Sequence, residues 1–352
     1  MKTIRLLAAL LLAVSPAAGH ADAGFPSRPI KLVVAAPTGG VPDVIARLVG
    51  QHMSASLGQP IAVENKTGAG SIIALESVAK ANPDGYTLLV ADSSPLTINP
   101  TLYKKLPYQG MDSFEPIAFL GAAQLFLTAG PSLKANSFQE MVAQAKAAPG
   151  KLTYGTIGIG SLHHVMFEEI RRSAGIDIMH VPFREQPSAP VAAGTADMLL
   201  AGLPSIEGLV RAGRLRFLGV TSKARVAQLP DVPTLEESGL PGYVFTADIG
   251  LLAPRGTPPE HLRKLADAAR HAVAQPDVRR KLADLGIVPD GRVLAEYGDY
   301  MRREIDRFSG MVQRAGKIGV DPGERVDPGL HLLLRQSHLH SPFVPGQVSS
   351  SA

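Results

Sequence analysis

Two stretches of the chain combine glycines, hydroxyls and a polar helix start in an order that could hold an anion. The first is Pro37-Thr38-Gly39-Gly40, followed by Val41, Pro42 and Asp43. The second runs from Thr156 through Gly158, Gly160 and Ser161 to His163 and His164. Each follows an apolar run that reads as a buried strand, Leu32 to Ala36 in one case and Leu152 to Gly155 in the other. Strand, glycine turn and helix start together expose backbone N–H groups without an intrahelical acceptor, and glycine lets a ligand come close. Pro42 suits a first helical turn, where its missing N–H would have been unpaired anyway. A pair of such turns suits a ligand with two anionic ends, each facing a helix N terminus. The structural alternative is two ordinary strand-to-helix turns that bind nothing.

Other residues could contribute chemistry. Ser93 and Ser94 follow the strand that ends at Ala91, where open α/β sheets bind ligands; they could equally cap a helix. Arg184 follows the strand ending at Val181 and could meet a carboxylate, or pair with Glu185 on the surface. His163 and His164 are adjacent, so at most one of them faces a site. A Ser161–His164 enzyme is the alternative from another class, but no triad order, P-loop or nucleophile elbow accompanies it. Cysteine is absent, which removes disulfides, thiolate chemistry and Cys-ligated metals. No metal or cofactor is expected. His331, His338 and His340 read as solvated tail histidines.

The elements that must position these groups follow in order. The opening strand leads to a helix over about 42–57, then a short strand at 61–64, a second glycine-rich turn at 65–70 and a helix to about Ala81. A strand over 86–91 completes a βαβαβ pattern, which calls for a mostly parallel sheet covered on both faces. A short helix is expected at about 98–104. Two apolar runs follow within 114–128, split around Gly121 to Ala123. Ser137 to Glu140 is a capping box opening a helix. Further strands are expected at 176–181, 196–201, 215–221 and 249–254. A short helix is expected between Asp231 and Tyr243, and a long one starting with Thr257 as its cap, with later helices to about Lys317.

The chain has 352 residues, enough for two α/β domains, with 45% hydrophobic and 19% charged residues. A net charge of +4 gives no argument for nucleic acid. Residues 1–23 have the layout of a secretory signal peptide: Lys2 and Arg5, then the apolar run Leu6 to Val14, then Ala21-Asp22-Ala23. The apolar run is too short to span a bilayer, and no later segment reads as a span. The chain from about Gly24 is thus expected to be exported and soluble. Residues 321–352 lose the apolar period and read as a disordered tail.

Several blocks together have a family likeness. They are PSRPIKLVV, ENKTGAG, NPDGYTLL, TINPTLYKKLPY, the Gly158–His164 turn, HVPF at His180, LPDVPTLEESGLPGY and GLLAPRGTP. In this order they closely resemble the extracytoplasmic receptors of tripartite tricarboxylate transporters, often called Bug-type, over about Phe25 to Gly316. The resemblance implies a type II periplasmic-binding-protein fold, with two α/β domains joined by a hinge and closing around a small carboxylate. The division it implies is 24–122 with 223–320 in one domain and 123–222 in the other. It implies a periplasmic monomer serving membrane transporter subunits, or a sensor kinase, and not a catalyst. Its ligand contacts fall on Pro37, Thr38, Gly39, Gly40 and Asp43, on Ser93 and Ser94, and on Thr156, Gly158, Gly160, Ser161 and His164. The chain departs from the family pattern at Val41, usually glycine, at Phe183-Arg184-Glu185, usually Tyr-Lys-Gly, at Leu200-Ala201-Gly202, often Phe-Asp-Asn, and at Asp248-Ile249, often aromatic. These departures bear on ligand identity and leave the fold intact.

Overall fold

A run such as Ile30-Lys31-Leu32-Val33-Val34 is buried on both faces apart from Lys31, as a central strand between two helical layers must be. The structure is a computed structural model and describes residues 24–103 and 105–314. Both the signal segment and the tail expected from the sequence lie outside these residues.

Six strands form the first sheet: β1 (Ile30–Val34), β2 (Ile61–Asn65), β3 (Thr87–Asp92), β4 (Phe114–Gln124), β10 (Thr246–Pro254) and β11 (Ile287–Pro289), in the order β2-β1-β3-β10-β4-β11. Five form the second: β5 (Phe126–Ala129), β6 (Thr153–Thr156), β7 (Met179–Pro182), β8 (Met198–Ala201) and β9 (Arg216–Val220), in the order β7-β6-β8-β5-β9. The two sheets repeat one plan. Three parallel strands are followed by one antiparallel strand, β10 in the first and β5 in the second. Helices fill the crossovers: α1 (Val41–Leu57), α2 (Ile72–Ala79), α3 (Ser94–Thr97), α4 (Asn99–Leu102), α5 (Phe138–Ala147), α6 (Leu162–Ala174), α7 (Ser188–Ala192), α8 (Glu207–Arg211), α9 (Pro259–Ala274), α10 (Pro276–Asp284) and α11 (Leu294–Arg314).

Alternation along β1 assigns the layers. Leu32 and Val34 join Ile45 and Val49 of α1 and Leu265 of α9 in one core. Val33 and Ala35 face the other way, onto Leu75 of α2 and Tyr297 and Met301 of α11. The chain leaves the first sheet at Leu125 and returns between Val220 and Thr246. These two connections lie side by side. Thr221 N–H donates to Leu125 O (2.9 Å), Phe245 N–H donates to Thr221 O (2.9 Å), and Thr221 Oγ1 donates to Phe245 O (2.7 Å).

Four local expectations are corrected. The strand break falls at Leu125 rather than at Gly121–Ala123, because Gly121 pairs with Ile249 and Pro289 inside the ladder. The helix expected at 98–104 is two four-residue helices, each with a proline in its first turn, Pro95 and Pro100. Between Asp231 and Tyr243 the chain makes turns, held by a parallel bridge from Thr234 to Val220. Thr257 does not cap α9; its hydroxyl donates back to Pro254 O (2.8 Å), and the helix opens at Pro259.

Candidate ligand-binding cleft

The first glycine turn is built around a carboxylate of its own. Gly39 N–H donates to Asp43 Oδ2 (2.9 Å), while Arg47 Nε (2.9 Å) and Asn65 Nδ2 (3.0 Å) donate to Asp43 Oδ1. Asn65 Nδ2 also reaches Ala36 O (3.0 Å), which ties the end of β2 to the turn after β1. Gly40 N–H closes the turn on Pro37 O (3.1 Å). Asp43 is buried and sits in the first turn of α1, where a negative charge meets the positive end of the helix. Burial pushes its carboxyl up, but the bonds from Arg47, Gly39 and Asn65 outweigh this and hold it below its ordinary value. Asp43→Asn should therefore cost about 2 kcal/mol of stability near neutrality, measured by urea unfolding. A carboxyl with a depressed folded-state pKa stabilises the fold above its unfolded pKa, and loses that contribution as pH falls through the folded one. The gap between wild type and Asp43→Asn should thus be full at about pH 6 and narrow below about pH 4.

The second turn also satisfies itself. Gly158 N–H donates to Thr156 Oγ1 (3.1 Å), and Ser161 N–H donates to Gly158 O (3.3 Å). Gly160 N–H donates to His164 Nδ1 (3.1 Å). The His164 proton therefore sits on Nε2, 3.9 Å from Glu168 Oε1. Ser161 caps α6 by accepting from His164 N–H (3.4 Å), and its hydroxyl donates to Gly158 O (2.8 Å). His164 stacks on His180 with ring centres 4.2 Å apart, and the Tyr154 ring lies 5.1 Å from His180 and 6.4 Å from His164. Burial lowers the pKa of His164, and burial with the neighbouring His164 takes His180 down to about 3, so both imidazoles are neutral. His180 Nε2 lies 2.6 Å from Thr156 Oγ1. The described geometry thus forms no hydrogen-bonded pair between the Ser161 hydroxyl and the His164 ring.

Arg184 completes the arrangement. Its exposed side chain lines a narrow cleft together with Ile157 from the second sheet and Ala35, Ala36, Pro37, Thr67 and Ser71 from the first. Among the described residues the Arg184 guanidinium has no carboxylate partner, Glu185 included. The cleft encloses only about 10 Å³, scarcely room for one water. Three contacts hold it shut. Tyr103 Oη donates to Ile159 O (3.3 Å), Leu102 packs beside Gly160, and Val41 packs on Gly202. Ser93 and Ser94 stand outside this cleft. Ser94 donates its N–H (2.9 Å) and its hydroxyl to Asp92, and Ser93 Oγ is buried without a partner among the described residues.

The structure therefore brings together the Pro37 turn, the Thr156–Ser161 turn and Arg184, and leaves the serine pair apart. Sequence reasoning missed Asn65, Thr67, Ser71 and Tyr103. All four lie in blocks that carried the family likeness, ENKTGAG and TINPTLY or the residue just after the first. A larger hollow of about 610 Å³ lies between the end of α1 and α9, lined by Leu57, Lys264, Asp267, Arg270 and His271. It sits about 22 Å along α1 from the glycine turn, on the side away from the strand ends, so we place the site at the smaller cleft. Among the described residues no cluster of three or more His, Asp or Glu could hold a metal ion.

Comparison with known proteins agrees with this architecture. A UPF0065 protein of Bordetella pertussis (strain Tohama I) is 36% identical over 321 residues, covering 91% of this chain and 98% of that protein. A Rhodopseudomonas palustris protein solved with adipate superimposes with a TM-score of 0.79 at 30% identity, over 83% of this chain and 99% of its own. MatC from the same organism, solved with bound malate, gives 0.77 at 32% identity, over 82% of this chain and all of its own (100%). Residues 45–316 match the family described as the tripartite tricarboxylate transporter family receptor. With that span inside the two-sheet α/β fold of periplasmic binding proteins, the chain belongs to this family of solute-binding receptors.

Proposed function

We propose that this receptor captures a small carboxylate in the cleft between its two sheets and presents it to the membrane subunits of a tripartite tricarboxylate transporter. The observation that carries the reading is Arg184, a cation without a carboxylate partner among the described residues, held opposite the Pro37 turn at the strand ends. Two similar proteins solved with adipate and malate, both carboxylates, support it. Arg184 supplies the charge. Pro37 and Ile157, with Thr67 and Ser71, form the walls, and Gly39, Gly40, Asp43, Thr156, Gly158, Gly160, Ser161 and His164 hold the two turns in shape, with Thr38 between Pro37 and Gly39. Each domain carries one sheet, and the paired crossovers at Leu125 and Thr221 are the hinge. A cleft of this size requires opening for entry, so ligand biases an open–closed equilibrium. The chain acts as a monomer in the periplasm, exported through residues 1–23. No helix among the described residues is long and apolar enough to cross a membrane.

A thermal-shift screen of organic acids tests this. A ligand that binds only the native state raises the melting temperature by mass action. Silence across mono-, di- and tricarboxylates would reject the reading. His164→Ala separates receptor from enzyme. A receptor should change affinity by less than about tenfold, whereas loss of a catalytic base would remove turnover by about 10²–10⁴-fold.

A further inference from the structure

We infer that the ligand is a small monocarboxylate with an apolar body, and that Val41 seated on Gly202 closes the space a second carboxylate would need. The inference rests on the carboxylate reading above and narrows it. Gly202 has an ordinary extended backbone, φ −77° and ψ 155°, so nothing in its conformation demands glycine. Space does. A Cβ there would lie 2.4 Å from Val41 Cγ2, far inside contact distance. Both positions depart from the pattern of the resemblance, Val41 by gaining a side chain and Gly202 by losing one, and they meet between the two sheets, near Gln124 O. The buried Val41 side chain thus fills the approach to the first turn of α1 from the second sheet.

Charge points the same way. The sequence pattern favoured a ligand with two anionic ends, one for each helix start. Here the α1 end already holds Asp43, with the Gly39 and Gly40 amides engaged inside the turn. In the other turn the amides of Gly158, Gly160 and Ser161 are engaged as well. Among the described residues Arg184 is the single charged side chain lining the cleft, and nearby Lys66 is paired with Glu64 at 3.4 Å. One carboxylate therefore finds a cation. A second would lose water without a counter-charge and approach Asp43, which is unfavourable. Ala35, Ala36, Pro37 and Ile157 offer the remaining ligand atoms an apolar wall.

Titration calorimetry on the purified full chain with matched pairs, butyrate against succinate and hexanoate against adipate, tests this. In the pair that binds more tightly, the monocarboxylate should win by at least about tenfold. A dicarboxylate that binds as tightly or more tightly would overturn the inference and leave the receptor reading standing. No heat from any of the four would overturn both. Val41→Gly, or Val41→Ala if the glycine variant fails to fold, should shrink the preference at least about threefold. An unchanged preference would overturn the role given to the Val41–Gly202 contact.

Discussion

Arg184→Gln should weaken carboxylate binding by about 30- to 1000-fold, or about 2–4 kcal/mol, while leaving the melting temperature of the free protein nearly unchanged. The first half follows from the lining of the cleft, where among the described residues Arg184 is the one cation, and from the two glycine turns, whose Gly39 and Gly160 amides already have acceptors. The second half follows from its setting. The side chain is exposed and holds no ion pair among the described residues, and surface changes of that kind shift stability by about 0.5 kcal/mol or less. Arg184→Lys should restore part of the affinity, because lysine supplies the charge without the planar fork that grips both oxygens of a carboxylate. A calorimetric titration of the three proteins with one acid gives the comparison. Equal affinities across all three would remove Arg184 from the site.

The largest stability effect is expected from a single methyl group. Gly250 lies in the middle of β10, between β3 and β4, with Tyr297 of α11 laid across it. A Cβ at position 250 would fall 1.7 Å from Tyr297 Oη and 2.5 Å from Cζ. Tyr297 cannot swing aside cheaply, since it stacks on Phe119 with ring centres 5.9 Å apart and is buried. Either α11 lifts off the sheet or β10 shifts in its ladder, so Gly250→Ala should cost about 3 kcal/mol or more. Urea unfolding reads this as a lower midpoint with an unchanged slope. Combining it with Tyr297→Leu should be far less damaging than the sum of the two, because both changes act on one contact. Simple additivity would show that the Tyr297 ring is not what excludes a side chain there.

Much of this architecture was legible in the residues. The apolar runs at β1, β3 and β8 and the capping box at Ser137 gave elements within a residue or two of those observed, because burial on both faces and the Ser137–Glu140 cap are local signals. Thr257 misled, since a threonine before a proline has the same appearance whether its hydroxyl caps forward or bonds back to Pro254. β11 was invisible: three residues whose edge position is set only by pairing with β4. At the site, both glycine turns were found, but the hydrogen bonds inside them were not. Nothing in the spacing says that Asp43 would take the Gly39 amide, or that His164 would take that of Gly160. The contact between Val41 and Gly202 depends on how the two sheets meet, and 160 residues of chain lie between the pair.

The most direct measurement is a crystal structure of the chain grown with its tightest-binding organic acid. Carboxylate oxygens are expected about 2.7–3.2 Å from the Arg184 guanidinium, between the Pro37 turn and Ile157. An acid seated instead in the hollow lined by Lys264 and Arg270, or held in the cleft with Arg184 turned out to solvent, would contradict this expectation.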